Sequence, residues 1–420
     1  MPKPLIIPMY RIILLLSAII FLSPAFIAQT QQRQQAMRMV QMGDNQLQLG
    51  MLQDAIFSYT NAITTDNNYA EAYMKRSSLY QRLGQTREAK QDYATALRIN
   101  PYSAYVLDEK AKLNFMIEQY SDGLEDLEHA IAMEPDNHQI RDHRVDGYIL
   151  TGEYMQAKND LDILQETGYN EELTVLKQAL IQFLENDIAG ATFSFEKVLD
   201  LNPENALAYD VLGLISLKEK NIQEAIGYFD QAIAINPNFA LAIYNKGVAY
   251  KMNGLNEKAL QLFDQAIKAH LNNSQAYFAR GLLKRELGDY EGAIEDYSSM
   301  NTFDSTYFNA IYNRAFTFEM IGDFENALKD ANAAIELNPD DAHAWKLRGN
   351  IHMLFGDYGE AVIDYTQALK LDGEMVEALF SRGLCKVLNY RLNDGCRDMK
   401  LAQDMGYDKA EDAIGNFCGP

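Results

Sequence analysis

Proline is scarce in the body of this chain: of ten prolines, only five fall between residues 30 and 419. Cysteine occurs three times in 420 residues and tryptophan once. Such a cysteine count excludes a small fold framed by disulfides, and the modest glycine and proline content excludes a disordered or collagen-like chain. Positive charge is also short: 37 Lys and Arg stand against 59 Asp and Glu, a formal net charge of −22. A surface of that sign repels phosphate backbones, so nucleic acid is not an expected partner. After residue 28, no apolar run is long enough to cross a membrane. What remains is the composition of a soluble protein, 48% hydrophobic and 23% charged, with 25 Tyr and 19 Phe.

The first 28 residues differ from the rest. Lys3 and Arg11 are basic, no acidic residue precedes Asp44, and Ile12–Leu22 is apolar apart from Ser17 and Ala18. Pro24 and the small residues Ala25 and Ala28 follow. Basic, apolar and small residues in that order make a secretory signal peptide over 1–28, cleaved after Ala28 or after Ala25. An uncleaved membrane anchor is the competing reading. The Gln-rich stretch 29–35 reads as a short linker.

The few prolines expose a period. Pro101, Pro135, Pro203, Pro237 and Pro339 are separated by 34, 68, 34 and 102 residues, all multiples of 34. With Ala36 as position 1, eleven units begin at 36, 70, 104, 138, 172, 206, 240, 274, 308, 342 and 376, without insertion or deletion. Position 20 is Ala or Gly in every unit, and position 8 is small in all but the fourth, which has Val145. Position 24 is usually a large ring, as in Tyr59, Tyr93, Phe195, Phe229, Phe263, Tyr297 and Tyr365. Apolar spacing predicts two helices per unit. A Gly near position 15 ends the first, and Asn-Pro near position 32 ends the second. Small residues at 8 and 20 let the two helices approach, and the ring at 24 fills space that one unit alone cannot enclose.

The segments AYFARGLLKRELGDYEGAIEDY (276–297) and NRAFTFEMIGDFENALKDANAAIELNP (313–339), with the unit around Trp345, resemble the tetratricopeptide repeat (TPR). The resemblance covers 36–409. It implies an all-α solenoid of antiparallel helix pairs wound into a right-handed superhelix, whose first helices line a groove that receives peptides or proteins. Departures are concentrated in units 3 to 5: Glu118 stands where Gly is expected, and unit 4 closes on Thr167-Gly168-Tyr169. The eleventh unit closes alike, at Met405-Gly406-Tyr407, and a last helix over about 408–417 is expected to cap the array.

No catalytic constellation is visible. The six histidines, His129, His138, His143, His270, His343 and His352, include no pair spaced i,i+4 around a Glu. There is no phosphate-cradling glycine loop, and no cofactor or metal is expected. Acidic residues such as Glu291, Glu295 and Asp296 read as a solvated face of the second helices. Leader, repeats and cap leave no residues for a catalytic domain, so the chain is not expected to be an enzyme.

The resemblance places positions 2, 5, 9, 12 and 13 of each first helix on the groove. Lys346 and Asn350 match part of the pattern with which some co-chaperones of the family clamp a C-terminal carboxylate. Ser381 breaks the pattern in the next unit, and no third unit follows, so the pair reads as incidental. Units 7 to 9 place Tyr244, Phe278 and Tyr312 at position 5 and Val248, Leu282 and Phe316 at position 9. With Leu214 in unit 6 and Leu176 and Leu180 in unit 5, they form an apolar strip of the kind that marks binding sites. Such rings are common in these repeats and also pack on neighbouring helices with no ligand present.

Cys385, Cys396 and Cys418 all lie in the last unit and its cap. Cys396 precedes Gly406 by ten residues and Cys418 follows Tyr407 by eleven, so each lies roughly 15 Å from the turn and the two are level across an antiparallel pair. A Cys396–Cys418 bridge would close about 22 residues and add about 3 kcal/mol. Cys385–Cys396 is also level across its own turn, and three packed thiols are a third possibility. The functional expectation is an exported scaffold of the periplasm or cell envelope that binds proteins or peptides. An accessory subunit presenting substrate to an enzyme on another chain, or an assembly factor anchored by its N-terminus, are the alternatives.

Overall fold

The structure, a computed structural model, describes residues 24–269, 274–300 and 307–419. The apolar core of the expected signal peptide falls outside the described residues. Helices follow one another throughout, with no strand among the described residues. By compactness the chain forms two units, one ending at Ser194 and one beginning at Phe195.

The 34-residue frame places the helices closely. First helices begin at position 1 at Ala70, Ala104, His138, Ala206, Ala240, Ser274, Ala342 and Val376. Every second helix begins at position 17, from Leu52 in repeat 1 to Leu392 in repeat 11. Between them, position 15 always takes a left-handed backbone. Gly fills it in seven repeats, and Glu118, Asn186, Lys220 and Tyr390 adopt it in repeats 3, 5, 6 and 11, with φ between 60° and 67°. The turn is therefore set by its neighbours even where the residue disfavours it.

The small residue at position 8 has a direct cause. A Cβ on Gly213 would lie 2.5 Å from the Phe229 ring, and one on Gly281 2.8 Å from Tyr297. The ring at position 24 lies flat on the backbone of the first helix. Repeat 4 shows the converse: Leu161 replaces the ring, and Val145 is admitted, fully buried. In repeat 3 the ring has moved to position 12, where Phe115 covers both Gly123 and Gly147.

One expectation is corrected at the N-terminus. Residues 29–35 are not a linker but part of the first helix, which runs Pro24–Gln48. Arg33 ties this extension to repeat 1: it pairs with Asp66, donates to the Asn68 carbonyl at 2.9 Å and lies over the Tyr69 ring. No helix among the described residues is long and apolar enough to cross a membrane.

At the other end, the helix Lys409–Phe417 packs back on the second helix of repeat 11, Leu392–Asp404. Phe380 and Tyr407 stack with centroids 5.0 Å apart. The structure joins Cys396 to Cys418, their Cα atoms 5.7 Å apart. Cys385 remains a thiol, fully buried, and burial pushes its pKa up to about 12.

Candidate partner-binding groove

The groove is lined by first helices, and in about half of the repeats an arginine braces them. In six repeats an Arg at position 7 forks onto an Asp at position 23 of the same repeat, sixteen residues later: Arg76–Asp92, Arg144–Asp160, Arg280–Asp296, Arg314–Asp330, Arg348–Asp364 and Arg382–Asp398. Each fork is bidentate, with N···O distances between 2.6 and 3.0 Å, and every one of these aspartates is buried. In five of these repeats the remaining guanidinium nitrogen reaches position 25 of the preceding repeat: Thr60 from Arg76 (3.0 Å), Asp264 from Arg280 (3.0 Å), Ser298 from Arg314 (2.9 Å), Asn332 from Arg348 (2.6 Å) and Thr366 from Arg382 (3.5 Å). A planar fork with donors on two sides suits this three-cornered joint; an ammonium does not offer that geometry. Asp296 is therefore not on a solvated face. Glu291 and Glu295, on the same helix, are exposed.

The six groove residues divide into a buried and an exposed part. Tyr244 packs its ring against Phe263, with centroids 5.7 Å apart, and Phe278 against Tyr297 at 6.0 Å. Tyr312 stacks on Phe308 at 6.3 Å and borders the clusters around Leu347 and Ile311. Burial raises the phenol pKa of both Tyr244 and Tyr312. Val248 borders the Ala259–Phe263–Leu283 cluster, and Leu282 is half-buried. Only Phe316 is exposed, at 36%, and the Arg285 guanidinium lies 5.1 Å above its ring while donating to Asn313 at 2.9 Å. The position-5 rings thus belong partly to the core.

Sequence reasoning passed over position 13. Met252, Met320, Leu354 and Leu388, from repeats 7, 9, 10 and 11, are all exposed apolar side chains. The resemblance had marked this position as groove-lining, and the signal was seven large apolar residues at one phase, these four with Met116, Leu150 and Leu184 of repeats 3 to 5.

Within the first compact unit, repeats 3 and 4 carry a carboxylate at position 5. Position 5 of one repeat pairs with position 6 of the next: Asp108 with His143 at 2.6 Å, and Asp142 with Lys177 at 2.7 Å. Lys177 also holds Asp146 at 2.7 Å. The Lys346 and Asn350 pair is occupied internally: Lys346 pairs with Glu377, and Asn350 accepts from the Tyr365 hydroxyl at 2.8 Å. Lys346 is therefore not free to clamp a carboxylate. No cluster suited to a metal ion occurs among the described residues.

Three tetratricopeptide repeat models match the chain, over residues 176–238 and 321–376, 216–283, and 70–103 and 274–299, together just over half of it. No curated protein sequence matches. Among solved structures, a tetratricopeptide repeat protein from Parabacteroides merdae is 21% identical, with a TM-score of 0.41, over 59% of this chain and 96% of its own. Yeast Tom70 is 17% identical, with a TM-score of 0.40, over 88% and 85%. YrrB, described as a TPR protein with an unusual peptide-binding site, is 18% identical, with a TM-score of 0.34, over 53% and 97%. Helix pairs repeating every 34 residues, with a small residue at position 8 under a ring at position 24, carry the same conclusion as the sequence models: the chain belongs to the tetratricopeptide repeat family.

Proposed function

We propose that the chain is an exported scaffold that holds an extended segment of a partner protein against the first helices of repeats 7 to 9. The observation that carries this reading is the exposed apolar surface at Phe316, Met252 and Met320, on the same first helices as Tyr244 and Tyr312, rings partly held by the core. Anchors held rigid before binding lose little side-chain entropy when a partner arrives. Export is supported by the basic-apolar-small order of residues 3–28 and by the Cys396–Cys418 bond, which persists in an oxidising compartment.

The test is quantitative cross-linking and co-purification from the native host, comparing the parent chain with Phe316→Ala/Met320→Ala. Both side chains are exposed, so helicity should hold while capture of the specific partner falls about 30-fold, the effect of losing a hot spot of roughly 2 kcal/mol. Equal capture by the two proteins would remove the groove assignment. N-terminal sequencing of the same material should start at Gln29 or Phe26; a chain that retains Met1 would remove the export assignment. The triple change of Tyr244, Phe278 and Tyr312 to Ser is a poorer probe, because those rings are half core and their loss unfolds as well as unbinds.

A further inference from the structure

One carboxylate oxygen in this groove is buried without a hydrogen-bond partner: Glu319 Oε2, at position 12 of repeat 9. Among the described residues it is the only carboxylate oxygen in that state. Glu319 lies three residues beyond Phe316 and seven beyond Tyr312 on one helix, Tyr307–Ile321, which places all three on one face.

Its surroundings explain why it stays unmatched. Lys346, from the first helix of repeat 10, is the cation that acts on it, but that ammonium is held by Glu377. The Tyr365 hydroxyl, from the second helix of repeat 10, is also within electrostatic range, but its proton goes to Asn350. Arg285, from repeat 8, is turned onto Phe316 and Asn313. The hydroxyl of Tyr297 is likewise buried and unpartnered in the neighbouring repeat. The corresponding tyrosines Tyr59, Tyr93 and Tyr365 donate to Asp44, Gln81 and Asn350 at positions 9 or 12. Repeat 8 has Leu282 and Arg285 there, and neither side chain accepts.

A buried carboxylate with no donor is costly to the free protein, and a group from outside that supplies one recovers that cost on binding. We propose that Glu319 receives the lysine or arginine side chain of a bound partner segment, whose aliphatic stem lies along Phe316 and Tyr312. This rests on the groove reading above and adds the chemistry of one partner residue to it. The net charge of −22 attracts a basic segment over longer range. Burial holds the Glu319 pKa up to about 7, partly offset by Lys346. The carboxyl is therefore largely neutral at pH 6 and ionised at pH 8, and its hold on a cation strengthens as pH rises.

The experiment pans a phage-displayed random peptide library on the intact chain, on Glu319→Gln and on Phe316→Ala. Removing a buried charge without a partner leaves the fold intact, and circular dichroism checks it. Peptides selected by the parent should carry Lys or Arg at one fixed distance from their apolar anchors. A synthetic peptide with lysine there should bind about tenfold more tightly than its norleucine counterpart at pH 8. That preference should shrink several-fold at pH 6 and vanish in Glu319→Gln. Peptides that need Phe316 but show no basic enrichment, or that bind Glu319→Gln equally well, overturn the cation site and leave the groove standing. If no peptide depends on Phe316, the groove reading fails, and this inference fails with it.

Discussion

Repeats 8 to 11 and repeats 6 and 7 have the same backbone plan and hold it in different ways. In repeats 8 to 11 a buried Arg–Asp fork ties the two helices of each repeat, and the same arginine grips the repeat before it. Repeat 6 has Leu212 and Tyr228 at those two positions, so neither the arginine nor the aspartate is present. Repeat 7 is intermediate. Lys246 reaches Asp230 of repeat 6 at 2.5 Å and faces Leu262 within its own repeat, keeping the inter-repeat half of the joint and losing the other. The geometry of a repeat is thus over-determined by packing. The ion pair adds a penalty for being wrong more than a reward for being right, as expected for charges removed from water.

This comparison can be broken most sharply inside repeat 9. Arg314→Met leaves Asp330 buried and unpaired and should cost about 3–5 kcal/mol in urea denaturation followed by circular dichroism. Arg314→Leu/Asp330→Tyr installs the repeat 6 solution and should recover most of that loss. A double variant no more stable than the single one would mean that the apolar solution depends on its own neighbours and is not interchangeable.

Repeat 6 has its own buried charge. Asp210 is fully buried, with the Asn245 amide donating to both oxygens at 2.9 and 3.2 Å, and burial raises its pKa to about 6. A folded pKa above the unfolded value of about 3.9 means that the fold prefers the protonated form. The contribution is complete below pH 4 and is lost as pH rises through 6, amounting to roughly 3 kcal/mol. Asp210→Asn should therefore raise the melting temperature at pH 8 and leave it unchanged at pH 4. Equal shifts at both values would show that the carboxyl is not the group responsible.

The smallest effect concerns the left-handed residue between helices. Repeats 8, 9 and 10 have Gly288, Gly322 and Gly356 there, and repeat 6 has Lys220 at φ 67°. Lys220→Gly should stabilise by about 1 kcal/mol and Lys220→Ala should not, both read from the urea midpoint.

Most of this architecture is legible without coordinates because it depends on size at a fixed phase. The prolines give the period, and position 8 gives the close approach. Position 23 was misread because an aspartate looks the same in sequence whether water or an arginine sixteen residues away solvates it. The signal was there to find: Arg at 7 and Asp at 23 occur together in the same six repeats. The groove residues were found by phase but not by depth. Tyr244 and Phe278 rest on the rings at position 24 and Tyr312 on Phe308, and no spacing along the chain tells how much of each remains exposed. Glu319 was illegible for a related reason, since its state depends on Lys346 being taken by Glu377 in another repeat.

The arginine joint also bears on how such a chain can change length. Each arginine's partners stand sixteen residues after it and sixteen before it, within a period of 34 that never slips. Removal or duplication of 34 residues among repeats 8 to 11, wherever the break falls, rejoins an arginine to an aspartate on one side and to a polar acceptor on the other. Recombination between these repeats therefore leaves every arginine joint matched, wherever the crossover falls.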